Sequence, residues 1–313
     1  MTTATKPFAA VFPGQGSQSV GMMNSFEHTA VVRECFAEAS EALGQDLWQL
    51  VAEGPTEALA STVNTQPVML TAGVAVWRAW LAAGGAKPAV VAGHSLGEYA
   101  ALVAAGVLNF ADAVKLVRFR AQAMQEAVPA GEGGMAAILN LSPEDVVAAC
   151  AEAAQGQIVS PANLNSPVQI VIAGHAAAVQ RAMEACKARG AKRAVPLPVS
   201  APFHCALMQP AADRLAEKLA SVSFAAPQIP VLNNVDVKVE TSAEAIRTAL
   251  VRQAFSPVRW IEIVQAMVAQ PLDTVIEFGP GKVLAGLVKR IAPEVTAEAV
   301  VDSDSLTRVL ALA

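Results

Sequence analysis

A serine with a glycine two positions away on either side is the clearest sign of chemistry in this sequence. Ser95 lies in Gly93-His94-Ser95-Leu96-Gly97, after the apolar run 89–92 and before a helix-forming run over 96–105. This order predicts a strand, a sharp turn and a helix, with the serine hydroxyl projecting from a strained backbone position. The two glycines leave room where a side chain would collide with the neighbouring strand or helix. Because the helix N-terminus would face a developing oxyanion, we predict that Ser95 is a nucleophile.

A serine hydroxyl needs a base within hydrogen-bond reach before it can attack at neutral pH. The candidates are four histidines, His28, His94, His175 and His204. We expect His28 at the surface, a His94 side chain that points away from Ser95, and His175 at the surface or capping a helix. The position of His204 leaves two interpretations open, a catalytic base and a structural histidine.

The elements around Ser95 predict an α/β fold with a mostly parallel sheet and helices on both faces, a hydrolase-like core. Within 131–198 the pattern changes to strand-helix-strand-strand-helix-strand, the order of a ferredoxin-like α+β subdomain. We therefore predict a large α/β catalytic subdomain of residues 1–130 and 199–313, with a small subdomain of residues 131–198 inserted into it. The predicted helices of the large part lie near 31–43, 57–61, 67–83, 96–105, 109–127, 207–221, 243–253, 258–269 and 283–291, and its predicted strands near 8–12, 89–92, 229–233, 274–278 and 297–301.

Composition limits the class of protein. The chain has 313 residues, of which 54% are hydrophobic and 16% charged, so a large buried core is expected. A net charge of −5 without long runs of one sign does not indicate nucleic-acid binding. No apolar run has the pattern of a membrane span, and segment 1–10 lacks the features of a signal peptide.

The four cysteines are scattered, without the spacing of a zinc site or a disulfide framework. This favours a reducing compartment, and we expect a cytoplasmic protein. Cys205 follows His204 directly and is a second possible nucleophile, although a buried free cysteine is the more common case.

Two polar positions have ordinary interpretations when the residues are taken alone. Arg120 lies on a predicted helix that also carries Lys115 and Arg118, a pattern typical of a solvated helix face. Asn163 and Asn165 lie in a turn-like stretch, where asparagine is common for local backbone reasons.

Several segments together resemble the malonyl-CoA:acyl carrier protein transacylase family, and they occur in its order and spacing over nearly the whole chain. The resemblance implies transfer of malonyl from malonyl-CoA to the phosphopantetheine thiol of an acyl carrier protein, by a ping-pong route through an O-malonyl-serine intermediate. The segments that carry it are Phe12-Pro13-Gly14-Gln15-Gly16-Ser17-Gln18, Gly93-His94-Ser95-Leu96-Gly97-Glu98-Tyr99, Arg120 with Met124-Gln125, Asn163-x-Asn165-Ser166-Pro167, Phe203-His204 and Gly279-Pro280-Gly281-Lys282.

The resemblance implies catalytic roles for matching positions. Ser95 attacks the thioester, and His204 removes its proton and later protonates the leaving thiol. The backbone N–H groups of Gln15 and Leu96 form the oxyanion hole. The backbone carbonyl at Gln253 orients the histidine, in place of the acid of a Ser-His-Asp triad.

The resemblance also implies which residues bind substrate, namely Arg120, Met124, Asn163 and Phe203. Arg120 binds the malonyl carboxylate, because a planar guanidinium can donate two charge-assisted hydrogen bonds to it. An asparagine of the 163–165 stretch lies near the cleft. A bulky residue at Phe203 would exclude an α-methyl group by steric contact.

The implied partners are malonyl-CoA and an acyl carrier protein. Acyl exchange between a hydroxyl and thiols needs neither a metal nor a bound redox cofactor, so none is expected. We expect a monomer without nucleic-acid or membrane partners.

Three alternatives remain at this level. A serine thioesterase or hydrolase shares the first step, but 109 residues follow His204 and no acid between it and Ser95 obviously ends a strand. A discrete acyltransferase that serves polyketide synthesis or malonate decarboxylation is a second alternative, because the sequence does not distinguish it from an enzyme of fatty-acid synthesis. A noncatalytic scaffold is disfavoured by the intact Ser95, His204 and Arg120.

Overall fold

A computed structural model describes residues 7–199 and 201–312. Residues 1–6, which hold most of the segment that lacks signal-peptide features, lie outside the described residues, as do Ser200 and Ala313. The described residues form a five-stranded parallel sheet and a four-stranded antiparallel sheet, with helices packed on both. The predicted fold class is confirmed.

The strands alternate with helices through most of the chain. In chain order the strands are β1 (Phe8–Phe12), β2 (Val90–Gly93), β3 (Gly133–Leu139), β4 (Val159–Ser166), β5 (Gln169–His175), β6 (Arg193–Pro196), β7 (Val231–Leu232), β8 (Thr274–Phe278) and β9 (Thr296–Val300). The α-helices are α1 (Ala30–Leu43), α2 (Leu47–Glu53), α3 (Thr56–Ala60), α4 (Thr62–Ala82), α5 (Gly97–Ala104), α6 (Phe110–Glu126), α7 (Pro143–Ala154), α8 (Ala176–Ala188), α9 (Gln209–Ala220), α10 (Ala243–Phe255), α11 (Trp260–Val268), α12 (Val283–Ile291) and α13 (Ser303–Leu310). Short 3-10 helices cover Asn24–Phe26 and Ala206–Met208.

The parallel sheet has the order β7-β2-β1-β8-β9 and is buried on both faces. On one face, Phe12 and Phe278 pack edge-on against Trp77 of α4, with ring centroids 6.4 and 5.3 Å away. On the other face, Val11 and its neighbours pack in a second core with Trp260 of α11. Both faces need a helical cover, because all residues of the adjacent strands β1 and β2 are apolar and buried.

The antiparallel sheet has the order β4-β5-β3-β6, and α7 and α8 pack on it through a separate apolar core. Its strand-helix-strand-strand-helix-strand connection is the ferredoxin-like order that the sequence predicted. The sheet begins at Gly133 and ends at Pro196. The division of the chain at 131–198 stays a prediction, and these bounds fall inside it.

Several element predictions were wrong. Helix α4 begins at Thr62 and not at Pro67, and three of the residues before the proline, Thr62, Thr65 and Gln66, are buried. Asn163 and Asn165 lie in strand β4 and not in a turn. Helices α2 and α13 were not predicted, and β6 ends at Pro196, whereas the residue pattern predicts a strand over 193–199.

Candidate active site

Ser95 lies at the turn between β2 and α5, where its φ is +52°. A left-handed backbone is costly for a residue with a Cβ, so the surrounding structure must hold it. A Cβ on Gly93 would collide with the backbone of Gly97, and one on Gly97 would collide with the carbonyl of Phe12. The turn therefore requires glycine at both positions, as the sequence pattern indicated.

His204 lies next to the serine and also has a left-handed backbone, with φ +60°. Its Nε2 is 2.6 Å from Ser95 Oγ, and its Nδ1 is 2.8 Å from the backbone carbonyl oxygen of Gln253 in α10. A carbonyl oxygen can only accept, so Nδ1–H donates to it and Nε2 is left as the acceptor for the serine hydroxyl. The structure thus brings the predicted Ser95, His204 and Gln253 together, and a backbone carbonyl takes the place that a carboxylate has in a Ser-His-Asp triad.

The electrostatic surroundings keep His204 neutral. The residue is 3% exposed. Burial lowers the pKa of His204 to about 3, and the nearby positive charge of Arg120 adds to this effect. At neutral pH the imidazole is therefore in the form that can accept a proton.

Arg120 of α6 is buried beside the same pair and is not on a solvated helix face. Its Nη1 donates to Gln66 Oε1 at 2.8 Å. Its Nη2 donates to Gln253 Oε1 at 2.9 Å and to Ser95 Oγ at 3.2 Å. Arg120 Nε is buried and has no hydrogen-bond partner among the described residues. Burial lowers the pKa of Arg120 from its ordinary value, since a buried cation loses solvation. A guanidinium has five N–H donors and these hydrogen bonds use three of them, so Arg120 retains donors beside the serine hydroxyl.

A cavity of about 450 Å³ opens above the serine. This volume is in the range of sites that take small ligands. Except for Gln253, every residue that the sequence predicted for the site lines this cavity: Gln15, Ser95, Leu96, Arg120, Met124, Asn163, Phe203 and His204.

Two backbone N–H groups are available at the cavity. Neither Gln15 N–H nor Leu96 N–H donates a hydrogen bond to another described residue. Leu96 precedes the first residue of α5, so its N–H belongs to the positive end of that helix. In contrast, the N–H of Ser95 is already used, because it donates to Asn234 Oδ1 at 2.7 Å. The assignment of Gln15 and Leu96 to an oxyanion hole stays a prediction.

Sequence reasoning missed the buried polar residues that surround this centre, among them Gln66, Glu98 and Asn234. Glu98 Oε2 accepts from the N–H of Asn234 at 3.0 Å and from Gln253 Nε2 at 2.8 Å. A signal for Asn234 existed, since a polar residue at the carboxyl end of a parallel strand commonly faces a site. The predicted strand near 229–233 ends directly before Asn234, although β7 itself covers only Val231–Leu232.

His94 and Asn165 link the turn to the antiparallel sheet. His94 Nε2 lies 2.8 Å from Asn165 Oδ1, and its ring packs against Trp260 with centroids 5.4 Å apart. Burial lowers the pKa of His94. The His94 side chain thus bonds Asn165 of β4 and does not bond Ser95, whose hydroxyl is bonded by His204.

The other candidate residues lie outside the centre. Cys205 is buried, its Sγ donates to the Pro202 carbonyl at 3.1 Å, and burial raises the pKa of its thiol to about 11, which argues against a nucleophile. His28 is exposed, as expected. His175 does not cap α8 with its side chain, because its Nδ1 instead accepts from the N–H of Ile158 at 3.0 Å.

Two other kinds of feature are absent from the part of the chain that the structure describes. Within 7–199 and 201–312, no group of three or more His, Cys, Asp or Glu side chains could hold a metal ion. No helix of those residues is both long enough and apolar enough to span a membrane.

The chain is similar to known proteins over almost its whole length. The sequence pattern of the family described as acyl transferase domain matches residues 10–303. A malonyl CoA-acyl carrier protein transacylase of Salmonella typhimurium is 59% identical over 304 residues, covering 97% of this chain and 98% of the relative. The solved structure of an acyl-carrier-protein S-malonyltransferase from Burkholderia pseudomallei has a TM-score of 0.97 at 59% identity, covering 98% of this chain and 100% of that one. A malonyl-transacylase solved in complex with its type II PKS acyl-carrier protein has a TM-score of 0.96 at 56% identity, covering 97% of this chain and 99% of that one.

Proposed function

This chain belongs to the acyl transferase domain family, and from that premise we propose that it transfers malonyl from malonyl-CoA to the phosphopantetheine thiol of an acyl carrier protein. The observation that carries the proposal is the buried Arg120 guanidinium beside the nucleophile, with Nη2 3.2 Å from Ser95 Oγ. A buried cation at this place suits an acyl group that ends in a carboxylate, and an acyl group without one would leave it unpaired. The relatives reported above are named for malonyl transfer, which supports the same substrate.

In the first half-reaction, Ser95 Oγ attacks the thioester carbonyl while its proton passes to His204 Nε2. The oxyanion of the tetrahedral intermediate accepts hydrogen bonds from the N–H groups of Leu96 and Gln15. The carbon–sulfur bond then breaks, the coenzyme A sulfur takes the proton from His204, and the malonyl group is left as an ester on Ser95.

The second half-reaction runs through the same groups in reverse. The phosphopantetheine thiol gives its proton to His204 and its sulfur attacks the ester carbonyl. Ser95 then leaves and recovers its proton from the histidine. During both steps Arg120 holds the malonyl carboxylate, so that the carbonyl stays over the serine.

A serine hydrolase remains the closest alternative, and the histidine contact argues against it. Hydrolases of this strand-turn-helix type use an acid to orient their histidine, whereas His204 Nδ1 bonds a backbone carbonyl. Acyl exchange between oxygen and sulfur involves no redox change, so we propose that no bound cofactor takes part. A cytoplasmic location, where coenzyme A thioesters are made and used, completes the proposal.

The test is the fate of the acyl group. The protein is incubated with malonyl-CoA and measured by intact mass spectrometry, followed by peptide mapping, with Ser95→Ala as the control. The proposal expects one malonyl group on Ser95 that persists without an acceptor and moves to a holo acyl carrier protein when that is added. Release of coenzyme A without a lasting adduct would overturn the proposal and favour hydrolysis.

The carrier is tested in the same assay. We propose a fatty-acid carrier, and the structural neighbour bound to a type II PKS carrier makes a polyketide carrier the second candidate. The two holo carriers are compared at equal concentration for the rate at which each discharges the malonyl-enzyme. Faster discharge by the polyketide carrier would reverse this assignment.

A further inference from the structure

A buried carboxylate lies behind the catalytic residues and touches none of the reacting atoms. Glu98 is the second residue of α5 and is 2% exposed. Its Oε2 accepts two hydrogen bonds, from the backbone N–H of Asn234 at 3.0 Å and from Gln253 Nε2 at 2.8 Å. Each of these two partners also bonds residues of the active site, so Glu98 connects two sets of contacts.

The first set of contacts fixes the nucleophile turn. Asn234 Oδ1 accepts from the N–H of Ser95 at 2.7 Å, and Asn234 Nδ2 donates to the carbonyl of Gly93 at 2.7 Å. One side chain therefore bonds the backbone on both sides of His94, at Gly93 and at Ser95, whose φ is +52°. A left-handed serine persists only where its surroundings over-determine it, and these bonds supply that constraint.

The second set of contacts reaches three functional groups through one residue. Gln253 Nε2 also donates to the carbonyl of Ser95 at 3.0 Å. Gln253 Oε1 accepts from Arg120 Nη2 at 2.9 Å, and the Gln253 backbone carbonyl accepts from His204 Nδ1 at 2.8 Å. The orientation of the Gln253 side chain therefore bears on the nucleophile and on the arginine at the same time.

We propose that Glu98 is a positioning residue, which through Asn234 and Gln253 holds Ser95, His204 and Arg120 in the arrangement that acyl transfer requires. The inference rests on the proposed function for the meaning of that arrangement. An acceptor is needed at this point because two buried N–H donors meet there, and unpaired buried donors are costly.

The acceptor role does not require a negative charge. Burial raises the pKa of Glu98 to about 7. A protonated carboxyl group and a glutamine amide each keep an oxygen that can accept from both donors. We therefore expect Glu98→Gln to preserve the network and Glu98→Met, which has a similar shape but no acceptor, to release it.

Glu277 provides a matched control elsewhere in the same core. It is fully buried in β8, burial raises its pKa to about 7, and its Oε2 accepts from the N–H of Ala285 in α12 at 2.8 Å. Glu98 and Glu277 thus share residue type, burial and a backbone donor. They differ in that Glu277 bonds a helix that carries none of the proposed catalytic residues.

The experiment measures two rates and one stability for the wild type, Glu98→Gln, Glu98→Met and Glu277→Met. The first rate is acylation of Ser95 by malonyl-CoA, resolved into its maximum and its half-saturation concentration. The second is labelling by a fluorophosphonate, which needs the serine and histidine but no carboxylate site. Thermal unfolding reports whether each variant is folded.

For Glu98→Met we expect both maximum rates to fall about 10- to 100-fold in a protein that still unfolds cooperatively. Glu98→Gln should restore both rates to within about threefold of the wild type, and Glu277→Met should leave them within about threefold even if its unfolding temperature drops. Wild-type rates in folded Glu98→Met, or equal losses in Glu277→Met, would overturn the proposal.

A second variant tests the proposal if Glu98→Met does not fold. Asn234→Ala removes only the contacts at the turn, so fluorophosphonate labelling should fall about 10-fold; labelling at the wild-type rate would count against the proposal. The fluorophosphonate rate also separates this proposal from the proposed function. A wild type that reacts with the probe but takes no malonyl would refute malonyl transfer and still allow the role of Glu98 to be tested.

Discussion

Replacement of Arg120 with alanine is the most direct test of how this site chooses its acyl group. The change removes a guanidinium that bonds Gln66, Gln253 and Ser95 and that has a free buried Nε. It also removes the donors proposed for the malonyl carboxylate. The first loss affects every acyl substrate, whereas the second affects only a substrate with a terminal carboxylate.

The size of the second loss follows from the geometry. Two hydrogen bonds to a charged group contribute about 1.5–3 kcal/mol each, and water entering the vacated space recovers part of the sum. Removing one partner of a buried charge pair costs about 2–5 kcal/mol in practice. At 1.36 kcal/mol for each factor of ten, this predicts a loss of about 30-fold to 5,000-fold in the rate of malonyl loading.

The assay is a competition between malonyl-CoA and acetyl-CoA, with the two esters on Ser95 counted by mass spectrometry. Acetyl lacks the carboxylate, so the ratio of the two esters cancels the shared loss and isolates the contact to Arg120. The control is Arg118→Ala, since Arg118 is the other arginine of α6, is half-buried and donates to Gln45. It should leave the ratio unchanged.

Arg120→Lys should give an intermediate ratio, because it keeps the charge but loses the planar pair of donors. The reasoning fails if folded Arg120→Ala loads malonyl and acetyl in the wild-type ratio. A ratio that falls equally in Arg118→Ala would refute it as well, since the effect would then come from general charge on the helix.

Three further predictions concern the base, the turn and the cavity wall. Because burial and Arg120 lower the pKa of His204 to about 3, the base stays neutral and the acylation rate should be flat from pH 8 down to about pH 5; quenched-flow mass spectrometry showing a fall centred near pH 6.5 would contradict this. Measured in urea, the free energy of unfolding that His204 contributes, taken as the difference between the wild type and His204→Gln, should decrease as the pH falls from 6.5 towards 3, because the imidazole of the unfolded chain takes up the proton first. Gly93→Ala should abolish acylation and lower the unfolding temperature, since its Cβ would meet backbone atoms, whereas Gly286→Ala, with open space around it inside α12, should stabilise the protein by about 0.5–1 kcal/mol; a tolerated Gly93→Ala would refute the steric argument. Phe203→Ser should favour loading of methylmalonyl over malonyl by about 1–3 kcal/mol relative to the wild type, measured by competition between the two CoA esters. An unchanged ratio of the two acyl-enzymes would show that Phe203 does not determine selectivity.

The elements with strong local signals were predicted well from the sequence. Strands β1 and β8 have the predicted bounds, and helix α8 covers the 176–188 that its apolar pattern predicts. Asn109 and Ser142 each precede a first-turn acid, a pattern that predicts an N-cap, and each side chain accepts from the N–H three residues on. In these cases a short apolar run or a capping side chain decides the structure, and both are visible in a few consecutive residues.

The elements that were wrong depend on distant packing. Strand β4 continues through Asn163 to Ser166, although its polar residues suggested a turn. It is an edge strand of its sheet and its pairing with β5 is irregular at Pro161 and Leu164, so it does not need an alternating apolar pattern. Helix α4 passes through Pro67, and its preceding turn is held by the buried Thr65 and Gln66, of which Gln66 bonds Arg120 of α6; the local rule for proline ignores such distant contacts.

The site divides in the same way. Ser95 could be identified from its own neighbours, because the turn and its glycines are consecutive. His204 and Arg120 could not, since nothing local separates them from a structural histidine and a solvated arginine, and only the family resemblance pointed to them. Glu98 lies inside the recognised motif, yet its function depends on residues more than 130 positions away.

The contacts of β4 bear on how the two parts of the molecule work together. Leu164 N–H donates to the carbonyl of Val258 and Val258 N–H donates to the carbonyl of Ala162, both at 2.9 Å. Val258 follows α10 closely, and α10 carries the carbonyl that orients the histidine. Asn165 of the same strand bonds His94 in the turn that carries Ser95. Strand β4, which lines the cavity with Asn163, is thus hydrogen-bonded to the segment after α10 and to the turn that carries Ser95. A displacement of the antiparallel sheet would therefore disturb the Ser95–His204 pair as well as the cavity. The antiparallel sheet is therefore bonded directly to the segments that hold the proposed catalytic pair.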